Sequence, residues 1–118
     1  MKKVLAIDDS PVLRMIYKSA LKNDFHIDLV GDGEEGLKKA FSDQYDLILT
    51  DYNLPGMTGL NIIDMLRSKS KYVQTPIIII TTDVDSIKKS RKAGASAFLI
   101  KPISPKKLLL AAKLLTGE

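Results

Sequence analysis

Val4-Leu5-Ala6-Ile7-Asp8-Asp9-Ser10-Pro11 joins an apolar run, a pair of carboxylates and a serine–proline step. The run does not alternate, as expected of a strand covered on both faces within a parallel sheet. Ser10-Pro11 signals a helix start: a hydroxyl to cap free N–H groups, then a proline at the first helical position, where its missing N–H does no harm. Leu13, Ile16, Tyr17, Ala20 and Leu21 recur at helical spacing and predict a helix to about Lys22. Strand, acidic turn and helix form one unit, and the rest of the sequence repeats it.

Four more apolar runs, Ile27–Val30, Leu47–Leu49, Ile77–Ile80 and Ala97–Ile100, follow at intervals of roughly 20 residues. Leu37, Ala40 and Phe41 predict a second helix, and Leu60, Ile63 and Leu66 a third. The fourth has Val84 and Ile87 as almost its only apolar supports, with Gly94 placed to cap its C-terminus. Ser104-Pro105 repeats the opening signal, and Leu108, Ala111, Ala112 and Leu115 line a closing helix. The sum is (βα)5, an α/β fold with a doubly wound, five-stranded parallel sheet, right-handed crossovers and helices on both faces.

The 118 residues, 45% hydrophobic and 27% charged, fit a single domain over 1–118 and exclude a two-domain enzyme. No linker or repeat interrupts the pattern, and if these residues are the complete gene product no output domain is expected. Without cysteine there is no disulfide framework, thiolate zinc site, iron–sulfur cluster or cysteine nucleophile. The apolar run Val4–Ile7 is too short for a signal peptide or a membrane span, so a soluble cytoplasmic protein is expected, with no membrane partner. A net charge of +4 and a pI near 9.3 raise nucleic acid or an acidic surface as a partner.

Ligands of open α/β sheets bind outside the carboxyl ends of the strands. Here those ends are polar: Asp8-Asp9, Thr50-Asp51, Thr81-Thr82 and Lys101-Pro102. If the first and third strands are neighbours, Asp8, Asp9 and Asp51 converge and repel one another by about 1–4 kcal/mol per pair at 4 Å. Lys101 compensates one charge, and a divalent cation taking oxygen ligands, Mg²⁺ above all, would compensate the rest. Taken singly these residues are ordinary, since carboxylates start helices and threonine and proline end strands; their conjunction is not.

Ile7-Asp8-Asp9-Ser10, Leu47-Ile48-Leu49-Thr50-Asp51-Tyr52-Asn53-Leu54-Pro55-Gly56-Met57-Thr58-Gly59, Ile80-Thr81-Thr82 and Ile100-Lys101-Pro102 stand in order along the whole chain. Together they resemble the receiver domain of two-component response regulators, in its stand-alone, CheY-like form. The resemblance implies a flavodoxin-like sheet of order 2-1-3-4-5 and a phosphorelay switch in which Asp51 is the phosphoacceptor for a histidine kinase. It implies Mg²⁺ held by Asp9, Asp51 and the backbone carbonyl of Asn53, with Asp8 acting mainly through a water. Thr81 and Lys101 would grip the phosphoryl oxygens, and Thr81 and Phe98 would form the switch. Asn53 and Asp83 would tune the phosphoryl lifetime, expected at minutes or less.

The same resemblance implies a cis Lys101-Pro102 bond. Thr58 stands where the family often has Asp, Asn or Ser, and its hydroxyl can still cap the third helix. Thr82 leaves room for an inward swing of Phe98, while Gly56 and Gly59 fit the turn that follows the third strand. The chemistry asks for positioning and charge compensation around a carboxylate nucleophile, with no general base. Such a protein acts on its own aspartate only and is not an enzyme in the ordinary sense. His26, the lone histidine, is expected to be a solvated or satisfied residue.

From Val84 to Lys107 the chain carries Lys88, Lys89, Arg91, Lys92, Lys101, Lys106 and Lys107 against Asp85 alone, a net +6, and the remainder sums to −2. By the resemblance, this segment is the output face of the fourth helix, fifth strand and fifth helix. Apart from Lys101, its cations fit an acidic or mixed-charge protein target. Direct nucleic-acid binding is not expected, because no helix-turn-helix or aromatic set accompanies the charge. The protein is expected to be a monomer or a phosphorylation-dependent dimer. Two alternatives stay open: the receiver portion of a longer DNA-binding or enzymatic regulator, and a haloacid-dehalogenase-like phosphatase. The phosphatase would need a second aspartate where Asn53 stands.

Overall fold

Every apolar run is a strand, and every strand is followed by a side chain that starts a helix. In the computed structural model, which describes residues 1–118, β1 (Lys3–Ile7), β2 (His26–Val30), β3 (Leu47–Asp51), β4 (Ile77–Thr81) and β5 (Ala97–Ile100) alternate with five helices. These are α1 (Pro11–Leu21), α2 (Gly33–Ser42), α3 (Gly59–Arg67), α4 (Val84–Ala93) and α5 (Pro105–Thr116). Ser10, Asp32, Thr58, Asp83 and Ser104 each accept a backbone N–H from the first turn of the helix they precede. The sheet is parallel throughout, in the order β2-β1-β3-β4-β5.

Successive residues of the central strands serve opposite faces. Leu5, Ile7, Ile48, Ile77 and Ile79 pack with Leu37, Ala40, Ile62, Ile63 and Leu66 under α2 and α3. Val4, Ala6, Leu47, Leu49, Ile78 and Ile80 pack with Tyr17, Leu21, Leu108 and Ala112 under α1 and α5. This double covering is why the runs do not alternate. No helix is long and apolar enough to cross a membrane.

Three features depart from the sequence expectations. The edge strand β5 is covered on one face only: Phe98 and Ile100 are exposed while Ala97 and Leu99 are partly buried. Val84, expected to support α4, is 67% exposed, and the side chains α4 buries are Ser86 and Ser90. Burying a large aliphatic side chain is worth about 1.5–3 kcal/mol, so a helix that buries two serines is held by less apolar area than its neighbours. A two-residue antiparallel ribbon, Asn53–Leu54 against Met57–Thr58, also follows β3, turned by Gly56 at φ +71.

Arg67, at the end of α3, ties the next connections together. Its guanidinium donates to the carbonyls of Tyr72 and Thr75, both at 2.6 Å, and to that of Gly94 at 2.8 Å. The loop before β4 and the C-terminal cap of α4 therefore share one anchor.

Candidate functional site

Strand register assembles the site. Ile7 pairs with Thr50, Asp51 with Ile80 and Thr81 with Ile100, so the next residue along each chain brings Asp8, Asp51, Thr81 and Lys101 to one edge of four adjacent strands. Gly59 holds this edge closely. Its N–H donates to the Tyr52 carbonyl at 2.7 Å, and a Cβ there would stand 3.0 Å from the Tyr52 Cα and 3.3 Å from the Asp51 carbonyl oxygen. Those neighbours are backbone atoms, so a side chain at 59 would press on the phosphoacceptor candidate's own loop.

One carboxylate oxygen from each of Asp8, Asp9 and Asp51 lies within 4.8 Å of the other two. Asp8 and Asp51 are buried and Asp9 is exposed. Lys101 Nζ stands 2.9 Å from Asp51 Oδ2, and the Asn53 N–H donates to Asp51 Oδ1 at 3.3 Å. Burial pushes the Asp51 carboxyl above its ordinary range; the bond from Lys101 pulls it back and the charge of Asp8 pushes it further up. Three carboxylates against one ammonium leave a negative crevice built of oxygen donors alone. That donor set fits a hard divalent cation and does not fit a thiophilic one.

Asp8 is held on both oxygens, by the Ser10 N–H at 2.9 Å on Oδ1 and by the Tyr17 phenol at 2.6 Å on Oδ2. Burial, with the Asp8 bond and charge, raises the Tyr17 phenol far beyond its ordinary range, so it stays protonated as a donor. Sequence reasoning saw Tyr17 only as a core residue. The available signal was a phenol on a buried helix face, since a buried hydroxyl needs a partner.

Thr81 is buried, but its hydroxyl is engaged with Ser86 Oγ at 2.6 Å, and Ser86 in turn donates to the Asp83 carbonyl at 2.9 Å. Ser86 is a second residue the sequence did not reveal. Asp83 caps α4 through the Ser86 N–H at 2.8 Å, which ties its carboxylate to the helix. Asn53 and Thr82 are exposed. Phe98 is 38% exposed, with the Arg91 guanidinium 5.7 Å over its ring. Lys88, Lys89, Arg91, Lys92, Lys106 and Lys107 all face solvent.

The remaining expectations have direct structural counterparts. Thr58 caps α3 in a reciprocal capping box with Asn61, and the Lys101-Pro102 bond is cis. His26 is exposed, 3.3 Å from an Asp28 oxygen and remote in sequence from every residue of the crevice.

Residues 4–113 match the family model described as response regulator receiver domain. The nitrate/nitrite response regulator NarL of Escherichia coli K12 is 37% identical over 111 residues, which cover 92% of this chain and 51% of NarL. The chain thus spans about half the length of that relative. The structure of chemotaxis response regulator CheY4 of Vibrio cholerae superposes with a TM-score of 0.93 at 34% identity, covering 98% of both chains. The receiver domain of sensor histidine kinase PA1611 from Pseudomonas aeruginosa PAO1, solved with a magnesium ion coordinated in its active site cleft, superposes at 0.90 with 25% identity, covering 99% of this chain and 98% of that one. Family match, topology and crevice agree, and the chain belongs to the response regulator receiver domains of two-component systems, CheY-like signalling switches that histidine kinases phosphorylate and that act on downstream targets.

Proposed function

We propose that this chain is a cytoplasmic switch in which Asp51 accepts a phosphoryl group from a histidine kinase and the surface of α4, β5 and α5 passes the change to a protein target. The observation that carries this reading is Lys101 Nζ at 2.9 Å from Asp51 Oδ2, within an edge of three carboxylates. An Asp51 oxygen attacks the phosphorus; the new O–P bond forms as the P–N bond to the donor imidazole breaks, and the bonding pair leaves with the imidazole. Asp8, Asp9, Asp51 and the Asn53 backbone carbonyl would hold Mg²⁺, as the neighbouring receiver of PA1611 holds magnesium in its cleft. When bound, the ion would screen the carboxylates and the incoming phosphoryl oxygens.

Lys101 then moves its ion pair from Asp51 to a phosphoryl oxygen, and Thr81 donates its hydroxyl proton to another. Withdrawal of Thr81 leaves space that Phe98, half exposed beside Arg91, can enter. Asn53 and Asp83 flank the pocket and set access of water, with a lifetime of minutes or less. The exposed Lys88, Lys89, Arg91, Lys92, Lys106 and Lys107 favour an acidic or mixed-charge protein target over nucleic acid.

Incubation with acetyl phosphate and Mg²⁺ should add one phosphoryl group at Asp51, detected by intact mass and peptide mapping and lost in Asp51→Asn. Labelling that persists at another residue overturns the assignment. The match to half of NarL favours a second reading, in which the same switch is the receiver portion of a longer regulator.

A further inference from the structure

The Thr81 hydroxyl carries one proton, and the acceptors around it offer that proton a partner on α4. Ser86 Oγ donates its own proton to the Asp83 carbonyl at 2.9 Å. With the Ser86 proton so placed, the 2.6 Å contact between Thr81 Oγ1 and Ser86 Oγ, whose geometry lets either oxygen donate, is filled by the Thr81 proton. Both residues are buried, so neither hydroxyl can trade this bond for bulk water. From this hydrogen-bond count we infer that Ser86 is a positioning residue that holds the Thr81 hydroxyl away from Asp51 and thereby sets how readily the site is phosphorylated. The inference rests on the reading of Asp51 as phosphoacceptor.

Release is one-sided. When Thr81 turns to a phosphoryl oxygen, Ser86 keeps its bond to Asp83, and no buried donor is orphaned. The charged oxygen is the stronger acceptor, so phosphorylation wins the exchange, while Ser86 determines how hard it must compete. The partner that Thr81 leaves belongs to α4, a helix whose fully buried side chains are Ser86 and Ser90, with Ile87 and Ala93 only partly buried, and whose Ser90 Oγ is buried without a partner. The hydroxyl pair thus ties the first turn of α4 directly to the end of β4.

Removing the acceptor should ease phosphorylation by the worth of one neutral hydrogen bond, about 2- to 10-fold in rate. The test uses the full chain with Mg²⁺ and acetyl phosphate, following Asp51 labelling across donor concentration, together with the Thr81 methyl resonance in the absence of donor. Ser86→Ala should label faster and shift the Thr81 resonance, and Ser86→Thr should restore both. Ser86→Cys, a weak acceptor of similar volume, should move in the direction of Ser86→Ala. In a Thr81→Ala background Ser86→Ala should change nothing. A wild type that labels, beside a Ser86→Ala variant of unchanged rate, overturns the role of Ser86 alone; so does an equal rate increase in the Thr81→Ala background. A wild type that does not label at all overturns the phosphoacceptor reading and this inference with it.

Discussion

Tyr17, on α1, donates its phenol proton to Asp8 Oδ2 at 2.6 Å, so a core side chain solvates a carboxylate of the acidic crevice. In Tyr17→Phe that buried charge loses a donor. A hydrogen bond to a charged group is worth about 1.5–3 kcal/mol, and stability in metal-free buffer should fall by that amount. Mg²⁺ should then restore more stability to the variant than it adds to the wild type, because the uncompensated oxygen falls to the ion. Urea unfolding with and without Mg²⁺ measures both quantities. An equal or smaller Mg²⁺ gain in Tyr17→Phe would show that the phenol does not compensate Asp8.

Asp51 has a definite sign of pH dependence. Its folded-state pKa is raised above the ordinary value of 3.8, chiefly by burial. Its contribution to stability is therefore fully present below the unfolded pKa and is lost as pH rises through the folded one. Without divalent cations, Asp51→Asn should melt higher than wild type at pH 7, and the advantage should vanish near pH 3. Thermal unfolding by circular dichroism at the two pH values decides it; a variant less stable than wild type at pH 7 contradicts the burial argument.

Arg67→Ala removes three carbonyl contacts made by one guanidinium and should lower unfolding free energy by about 2–3 kcal/mol. Hydrogen exchange should accelerate around Gly94 and in the loop from Tyr72 to Thr75. Unchanged exchange at Gly94 would show that the anchor does not hold the end of α4.

Replacing Lys88, Lys89 and Lys92 with Glu should slow association with the downstream protein and flatten its dependence on salt, since steering acts mainly on the on-rate. Stopped-flow association at low and high ionic strength is the measurement. Rates that do not change would mean that these lysines merely solvate α4.

The central strands were legible because burial on both faces leaves an unmistakable mark, four consecutive isoleucines in β4 being the extreme case. The pairing of Asp51 with Lys101, 50 residues apart, followed once strand order was assumed. What escaped was hydroxyl chemistry. Ser86 and Ser90 look like surface residues of a basic helix, and nothing in one dimension says that a helix packs through them. Val84 looked like core and is solvent-exposed at the first position of α4. The ring of Tyr17 marked it as core while its phenol oxygen, which needs a partner when buried, named none, and the ribbon around Gly56 is too short to leave a period.

The alternation of side chains along the strands divides the interior into two sets of residues that serve different helices. Tyr17 rises from the α1 and α5 set to meet Asp8, whereas Ser86 descends from α4 on the opposite side to meet Thr81. In the proposed switch, cation affinity and phosphoryl response would thereby be addressed from separate halves of the protein. An engineer could retune one by editing α1 and the other by editing α4, with the sheet as insulation between the two dials.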